Sequence, residues 1–443
     1  MRILLQNRAY RRLFVAQMLA LVGTGLATVA LGLLAYELAG ERAGEVLGTA
    51  LAIKMVAYVA IAPVVGAWAD RVPRKVLMVG ADLVRAAVVL MLPVVTQVWQ
   101  VYLLIALLQA ASATFTPTFQ SVLPDVLPDE DDYTRALSAS QFAVSAENIL
   151  SPLLAAALLT VVAFHSLFLG TTAGFLCSAA LVVGAVVPAG RRSTHDRFRD
   201  RLVVGVRIFA ATPRLRGVLA LNMVVAACGV IALVSTVNVG RDLLGGSQTD
   251  VALLLAVSGA GTAVAALSAP WLLRRHTERS VMLAGAAVSV AAVSGALVLS
   301  LVPGPGLAAA VWALVGAGPG AIMVVTGRVV RRSTGARDRP AAFAAQFSLS
   351  HACWLLTYPL TGWVGSLAGF TTAWAVLAVL VAAASVLAVR VWPRGLPEEF
   401  RHVHDGSEDE DHLAHAEWDG AVWTHTHRIV IDDNHTRWPT PVH

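Results

Sequence analysis

Gly66-Ala67-Trp68-Ala69-Asp70-Arg71-Val72-Pro73-Arg74-Lys75 is the passage on which the reading of this chain turns. It interrupts two apolar stretches, 46–69 and 76–96, with an acidic residue and three basic ones. Each stretch is long enough to cross a hydrocarbon core of ~30 Å as a helix. A short charged loop between two such stretches is a reversal at a membrane surface. Working outward, apolar stretches recur at 13–38, 98–122, 136–162 and 164–188. After a basic interval they resume at 216–240, 250–273, 280–302, 306–327, 341–367 and 369–392, which makes six, a break and six more. Composition agrees: 57% of the 443 residues are hydrophobic and 14% charged, with a mean hydropathy of +0.69. Soluble domains carry about 45–50% apolar and about 25% charged residues. A water-soluble enzyme is excluded on those figures.

The charges give orientation and remove further classes. Of 33 basic residues only Lys54 and Lys75 are lysines. Neither follows a glycine, so there is no phosphate-binding Gly-Lys loop and ATP-driven pumping is not expected. No HExxH, GxSxG or CxxC appears, so no enzymatic reaction is expected. Cys177, Cys228 and Cys353 all lie in apolar stretches, which argues against a disulfide framework. The sequence pI near 9.4 comes from arginines flanking apolar spans, and membrane topology explains it better than nucleic acid does. Arginines gather at the N-terminus, around 71–75, in 191–216, in 274–279 and in 328–339, whereas the alternate loops hold Arg42 and Arg241. Both termini and the 189–215 linker are therefore expected in the cytoplasm, with the first span retained.

The two sets of six repeat one another. Gln141-Phe142-Ala143-Val144-Ser145 returns as Gln346-Phe347-Ser348-Leu349-Ser350, 205 residues later. Arg71, Lys75 and Met78 return as Arg275, Arg279 and Met282, 204 residues later. Two equivalent halves, 1–188 and 216–392, are expected around an axis along the membrane normal, with a substrate site between them near mid-membrane. A tail, 393–443, follows.

The loop quoted at the start resembles the signature loop between the second and third helices of the major facilitator superfamily. The shared pattern is a glycine, Gly66, then Asp-Arg and a basic pair; Pro73 departs from it, since a glycine is usual there. The resemblance implies a twelve-helix, all-α membrane fold, and a cytoplasmic lock between the halves at Asp70, Arg71 and Arg74. Thr116-Pro117-Thr118-Phe119-Gln120, continuing to Pro128, and Asn148-Ile149-Leu150-Ser151-Pro152 look like the macrolide and siderophore efflux branch. Ser151-Pro152 stands where antiporters carry Gly-Pro, which implies export. The Gln346–Trp354 stretch and the His-rich tail ending Asp432-Asp433-Asn434-His435-Thr436-Arg437-Trp438-Pro439 resemble nickel-resistance exporters of that branch.

Ionisable residues inside a span are costly and therefore functional candidates. Asp82 and Arg85, three apart on one helix, share a face and can pair as part of the gate. Glu147 and His351 follow the two repeated Gln-Phe-x-x-Ser segments, one in each half, and with Lys54, Gln141 and Gln346 form the candidate coupling or substrate site. The bland reading for Glu147 is a helix–helix bond to Lys54, and for His351 one to a serine. His351 and Cys353 point about 200° apart on a helix, so Cys228 is the candidate thiol partner for His351 toward Ni²⁺, Co²⁺ or Zn²⁺.

Residues 393–443 hold eight of the twelve histidines and eleven of the 28 acidic residues. His402, His404, Asp405, His412, His415, His425, His427 and His435 mix imidazole and carboxylate as a candidate metal-capture site. The alternative is a solvated tail without a site. Arg428-Ile429-Val430-Ile431-Asp432 has strand character.

The expectation is a proton-coupled antiporter, monomeric in a bacterial cytoplasmic membrane, exporting nickel or cobalt without a required cofactor. Its alternative is an exporter of hydrophobic, macrolide-like drugs or of a siderophore, with Phe115, Phe142, Trp354 and Tyr358 lining an apolar cavity. A membrane receptor built around the tail is the third class.

Overall fold

The structure is a computed structural model that describes residues 7–39, 43–68, 71–188, 198–395, 399–404, 417–418, 423–428, 430–431 and 438. Twelve long helices carry the chain back and forth. The first half consists of α1 (Arg8–Ala39), α2 (Ala43–Trp68), α3 (Arg74–Met91), α4 (Val98–Val126), α5 (Glu130–Leu159) and α6 (His165–Gly184). A linker helix, α7 (Phe198–Ala211), lies where the sequence suggested only a basic loop. The second half runs α8 (Pro213–Val230), α9 (Gln248–Leu273), α10 (Glu278–Leu301), α11 (Pro305–Arg332), α12 (Arg339–Ala368) and α13 (Phe370–Val391). Beyond Val230, α8 continues through two π-helical turns, Ile231–Ser235 and Val239–Leu243, joined by Thr236–Asn238.

Among the described residues, nine helices are long and apolar enough to cross a membrane. Lys54, Glu147, Gln346 and His351 lie on α2, α5 and α12, so polar residues concentrate on helices that meet across the middle of the molecule. Large apolar side chains such as Leu150, Leu267, Trp363 and Leu367 are exposed on the outside, as a bilayer-facing surface requires.

Each half has its own core. In the second half, Trp312 and Trp374 are fully buried among valine, leucine and alanine. Their indole N–H groups are satisfied there: Trp312 donates to Thr236 Oγ1 (2.8 Å) and Trp374 to Ser235 Oγ (3.1 Å). Both acceptors belong to the π-helical stretch of α8, whose hydroxyls this irregular winding brings within reach of the indoles.

The tail adds a small antiparallel sheet, β1 (Glu399–His404), β2 (Glu417–Trp418) and β3 (Trp423–Arg428), in the order β1-β3-β2. The strand that the sequence suggested at 428–432 is thus displaced to 423–428. Ile431, just beyond it, is buried in the core of the second half, and Val430 lies against Gly335 in the loop between α11 and α12.

Candidate functional site

Between the halves lies a cavity of about 450 Å³. Its walls come from both sides: Gln17, Tyr58, Arg85, Phe115, Phe119 and Gln141 from the first half, and Asn222, Phe343, Gln346, Phe347, His351 and Trp354 from the second. Four of the five amide residues on the wall obey the repeat. Gln17 and Asn222 are 222 − 17 = 205 apart, the same interval that separates Gln141 from Gln346. Asn222 and Gln346 exchange two amide hydrogen bonds (3.1 and 3.0 Å), and Gln17 Oε1 accepts from Ser140 Oγ (3.0 Å).

His351 sits in an aromatic cage that spans the two halves. Its ring centroid is 4.2 Å from that of Phe347 and 4.7 Å from that of Tyr58, the latter edge-on. Its Nδ1 lies 2.7 Å from the Phe347 carbonyl oxygen. A carbonyl only accepts, so the Nδ1 proton is fixed and Nε2 is the nitrogen left to accept. Lys54, half-buried, places Nζ 5.6 Å from the centre of the Tyr58 ring, and its charge reaches both Glu147 and His351. Ser348 Oγ donates to the Val59 carbonyl (2.6 Å), tying α12 to α2 beside this cage.

Glu147 stands behind the cavity wall, against α1. A methyl group on Gly25 would come within 2.5 Å of Glu147 Oε1 and 2.2 Å of Ser151 Oγ, so this helix contact requires glycine. Asp82 and Arg85 form a buried ion pair, with Ser178 Oγ donating to Asp82 Oδ2 (2.7 Å). The Arg85 guanidinium lies 4.5 Å from the ring centres of both Phe115 and Phe175. The pair thus belongs to the inside of the first half and, through Arg85, to the cavity wall. It takes no part in the gate to which the sequence reading attached it.

Cys228 is not brought to His351. It is fully buried in the core of the second half, beside Ser289 of α10, because its position on α8 turns it away from α12. Trp354 and Phe115 line the cavity as expected of them; Phe142 is exposed on the outer surface, and Tyr358 packs on Trp354 outside the lining. Among the described residues, no three His, Cys, Asp or Glu side chains gather as a metal site. His402, His404, His425 and His427 lie on β1 and β3; Asp405, His412, His415 and His435 lie outside the described residues.

At the end of the bundle that carries the arginine-rich loops, the cavity is shut. Gly66 lets α2 meet α12 there: a methyl group on it would lie 2.7 Å from Ala344 Cβ. Arg74 bonds Asp125 (2.6 Å), and the same carboxylate accepts from Arg339 of the other half. Glu130 pairs with Arg328 (3.3 Å) and Arg332 (3.6 Å), which also hold Glu278 (2.8 and 2.6 Å). Tyr133 donates to the Gly327 carbonyl (3.1 Å), and Arg331 to that of Pro128 (2.5 Å). Across this seam the first half presents carboxylates and the second arginines. Arg71 is exposed, and Asp70 lies outside the described residues.

The chain matches the Major Facilitator Superfamily over residues 13–245 and again over 219–428. It belongs to that superfamily. Macrolide efflux protein A of Streptococcus pyogenes is 33% identical over 128 residues, 27% of this chain and 31% of that protein. The uncharacterised MFS-type transporter YfiS of Bacillus subtilis is 29% identical over 124 residues, 28% of this chain and 30% of YfiS. The matched region thus spans under a third of either relative. A bacterial homologue of the iron transporter ferroportin, solved in an outward-facing state, superposes with a TM-score of 0.71 at 14% identity, covering 86% of this chain and 99% of that one; this shows the fold alone. As a member of that superfamily, the chain is a multi-pass membrane protein of the transporter class, built as two paired halves.

Proposed function

We propose that this transporter exports amphipathic organic molecules from the cytoplasm by proton-coupled alternating access. The cavity carries the reading. It is walled by Tyr58, Phe115, Phe119, Phe343, Phe347 and Trp354, with amides at symmetric positions, and the one imidazole there has no thiolate or carboxylate beside it on the wall. Such a surface suits an aromatic or polycyclic body bearing a few hydrogen-bonding groups better than a bare divalent ion. The likeness to macrolide efflux proteins over part of the chain points the same way. The arginine-rich end is the cytoplasmic one by the positive-inside rule, so the closed gate corresponds to an outward-directed cavity. Glu147 is the proton carrier: of the two carboxylates placed well inside spans, Asp82 is committed to Arg85 and Ser178. Cells expressing the chain are challenged with a macrolide and with Ni²⁺. Protection against the macrolide alone supports the proposal, and protection against the metal alone overturns it.

The tail favours a second reading, in which a nickel-like divalent ion is cargo or signal. The β1–β3 register pairs His402 with His425, and His404 and His427 stand two residues along. The register thus brings four histidines close together along two paired strands. Calorimetric titration of the full chain with Ni²⁺ tests it: binding that survives His402→Ala/His425→Ala excludes these strands as the site.

A further inference from the structure

We propose that the central cavity selects for negative charge, with Arg85 as the residue that receives it, so that the cargo is an anionic amphipath. This rests on the reading of the cavity as an organic-molecule site and adds the cargo's charge to it. None of the residues lining the cavity is an aspartate or glutamate, whereas Arg85 lines it. Glu147, the mid-span carboxylate not tied to Arg85, faces Gly25 of α1 instead. A cationic cargo would therefore enter a space with no counter-charge on its walls and a guanidinium already there.

Arg85 is also incompletely satisfied. It is 5% exposed, one arm of its guanidinium bonds Asp82, and its Nε–H is buried with no hydrogen-bond partner. A guanidinium offers five donors in a fixed plane suited to carboxylate, sulfonate or phenolate oxygens. An unbonded buried donor is costly, and an anion that reaches it recovers that cost as affinity. Asp82 and Arg85 carry no net charge together, but only the guanidinium lines the cavity, so the positive end of the pair is the one a cargo meets. Phe115 covers one face of the guanidinium and also lines the cavity, so an anion at Arg85 would set its apolar body against that ring and Phe119.

Tetraphenylborate and tetraphenylphosphonium, nearly identical in shape and opposite in charge, are the probes. Each is titrated into the purified full-length protein, with quenching of Trp354 fluorescence as the readout and Trp354→Phe as its blank. The expected result is borate binding about ten-fold or more tighter than phosphonium, a preference carried by charge alone because neither ion accepts a hydrogen bond. Arg85→Lys should keep the preference. The double variant Asp82→Asn/Arg85→Gln, which leaves no buried charge unpaired, should lose it and also reports partition into detergent. Phosphonium binding as tightly as borate, or a preference that survives in the double variant, overturns the proposal while leaving organic export standing. If neither ion binds, the organic-cargo reading falls, and this proposal with it.

Discussion

Asp82 and Arg85 show what a single charge costs inside a span. Each is nearly fully buried and each is stabilised by the other. Removing one partner from a buried pair costs about 3–5 kcal/mol, whereas replacing both with apolar groups is often near neutral. Asp82→Ala should therefore lower stability by about that amount, and Asp82→Leu/Arg85→Met should recover most of it. Thermal unfolding in detergent checks both. At Glu147 the expected effect is on transport: Glu147→Gln should abolish export driven by a pH gradient while leaving cargo binding within about two-fold, since Glu147 stands outside the cavity lining. Vesicle uptake with and without an imposed gradient separates the two. At this scale the sequence was readable wherever partners are local. A three-residue spacing on one helix forces Asp82 and Arg85 onto one face, and the structure pairs them. It was misleading for Cys228 and His351, whose approach depends on how α8 is rotated in its bundle, which no spacing within either helix encodes.

The helices decide what opens and closes. The α2–α12 contact depends on Gly66 at one end and on the Tyr58–Phe347–His351 cage further in. Gly66→Val should wedge the contact at Ala344, hold the arginine-rich end ajar and lower transport at least about ten-fold. The ion pairs of the gate act at the same scale. Asp125→Asn/Glu130→Gln removes three cross-half pairs, those to Arg339, Arg328 and Arg332. At roughly 0.3–1 kcal/mol each, the ratio of open to closed gate should rise about 5- to 150-fold. A cysteine at Gln120 on the cavity wall, in a chain freed of its own cysteines, would then react faster with an impermeant maleimide from the cytoplasmic side. The signature loop led to Arg74 but not to Asp125, Glu130, Glu278 or Arg339. Carboxylates at helix ends look like ordinary surface caps until the partner half is in place. The repeat held a usable signal, since Arg74 and Glu278 are 278 − 74 = 204 apart, with opposite charge at equivalent positions.

Across the whole molecule, twelve spans and their division into two sets of six were legible because hydropathy is local and the bilayer thickness fixes its length scale. The cavity was only half legible. Gln141 and Gln346 stood out through the repeat, whereas Gln17 and Asn222 needed the packing of α1 and α8 to bring them to the same wall. The tail is joined to this larger unit through Ile431, which is 1% exposed in the core of the second half. Ile431→Asp should detach the tail and make it cleavable by trypsin, while the twelve-helix body stays folded; mass analysis of the digest reads this directly.

The division of charge across the gate reaches beyond opening and closing. Two first halves brought face to face would set Asp125 and Glu130 against their own copies, and two second halves would crowd arginine against arginine. Neither half can therefore stand in for the other or close a gate with a twin of itself. Synthesised as separate polypeptides, the halves should find each other and refuse themselves, so the acidic and basic rims work as a key that fixes which partner completes the molecule.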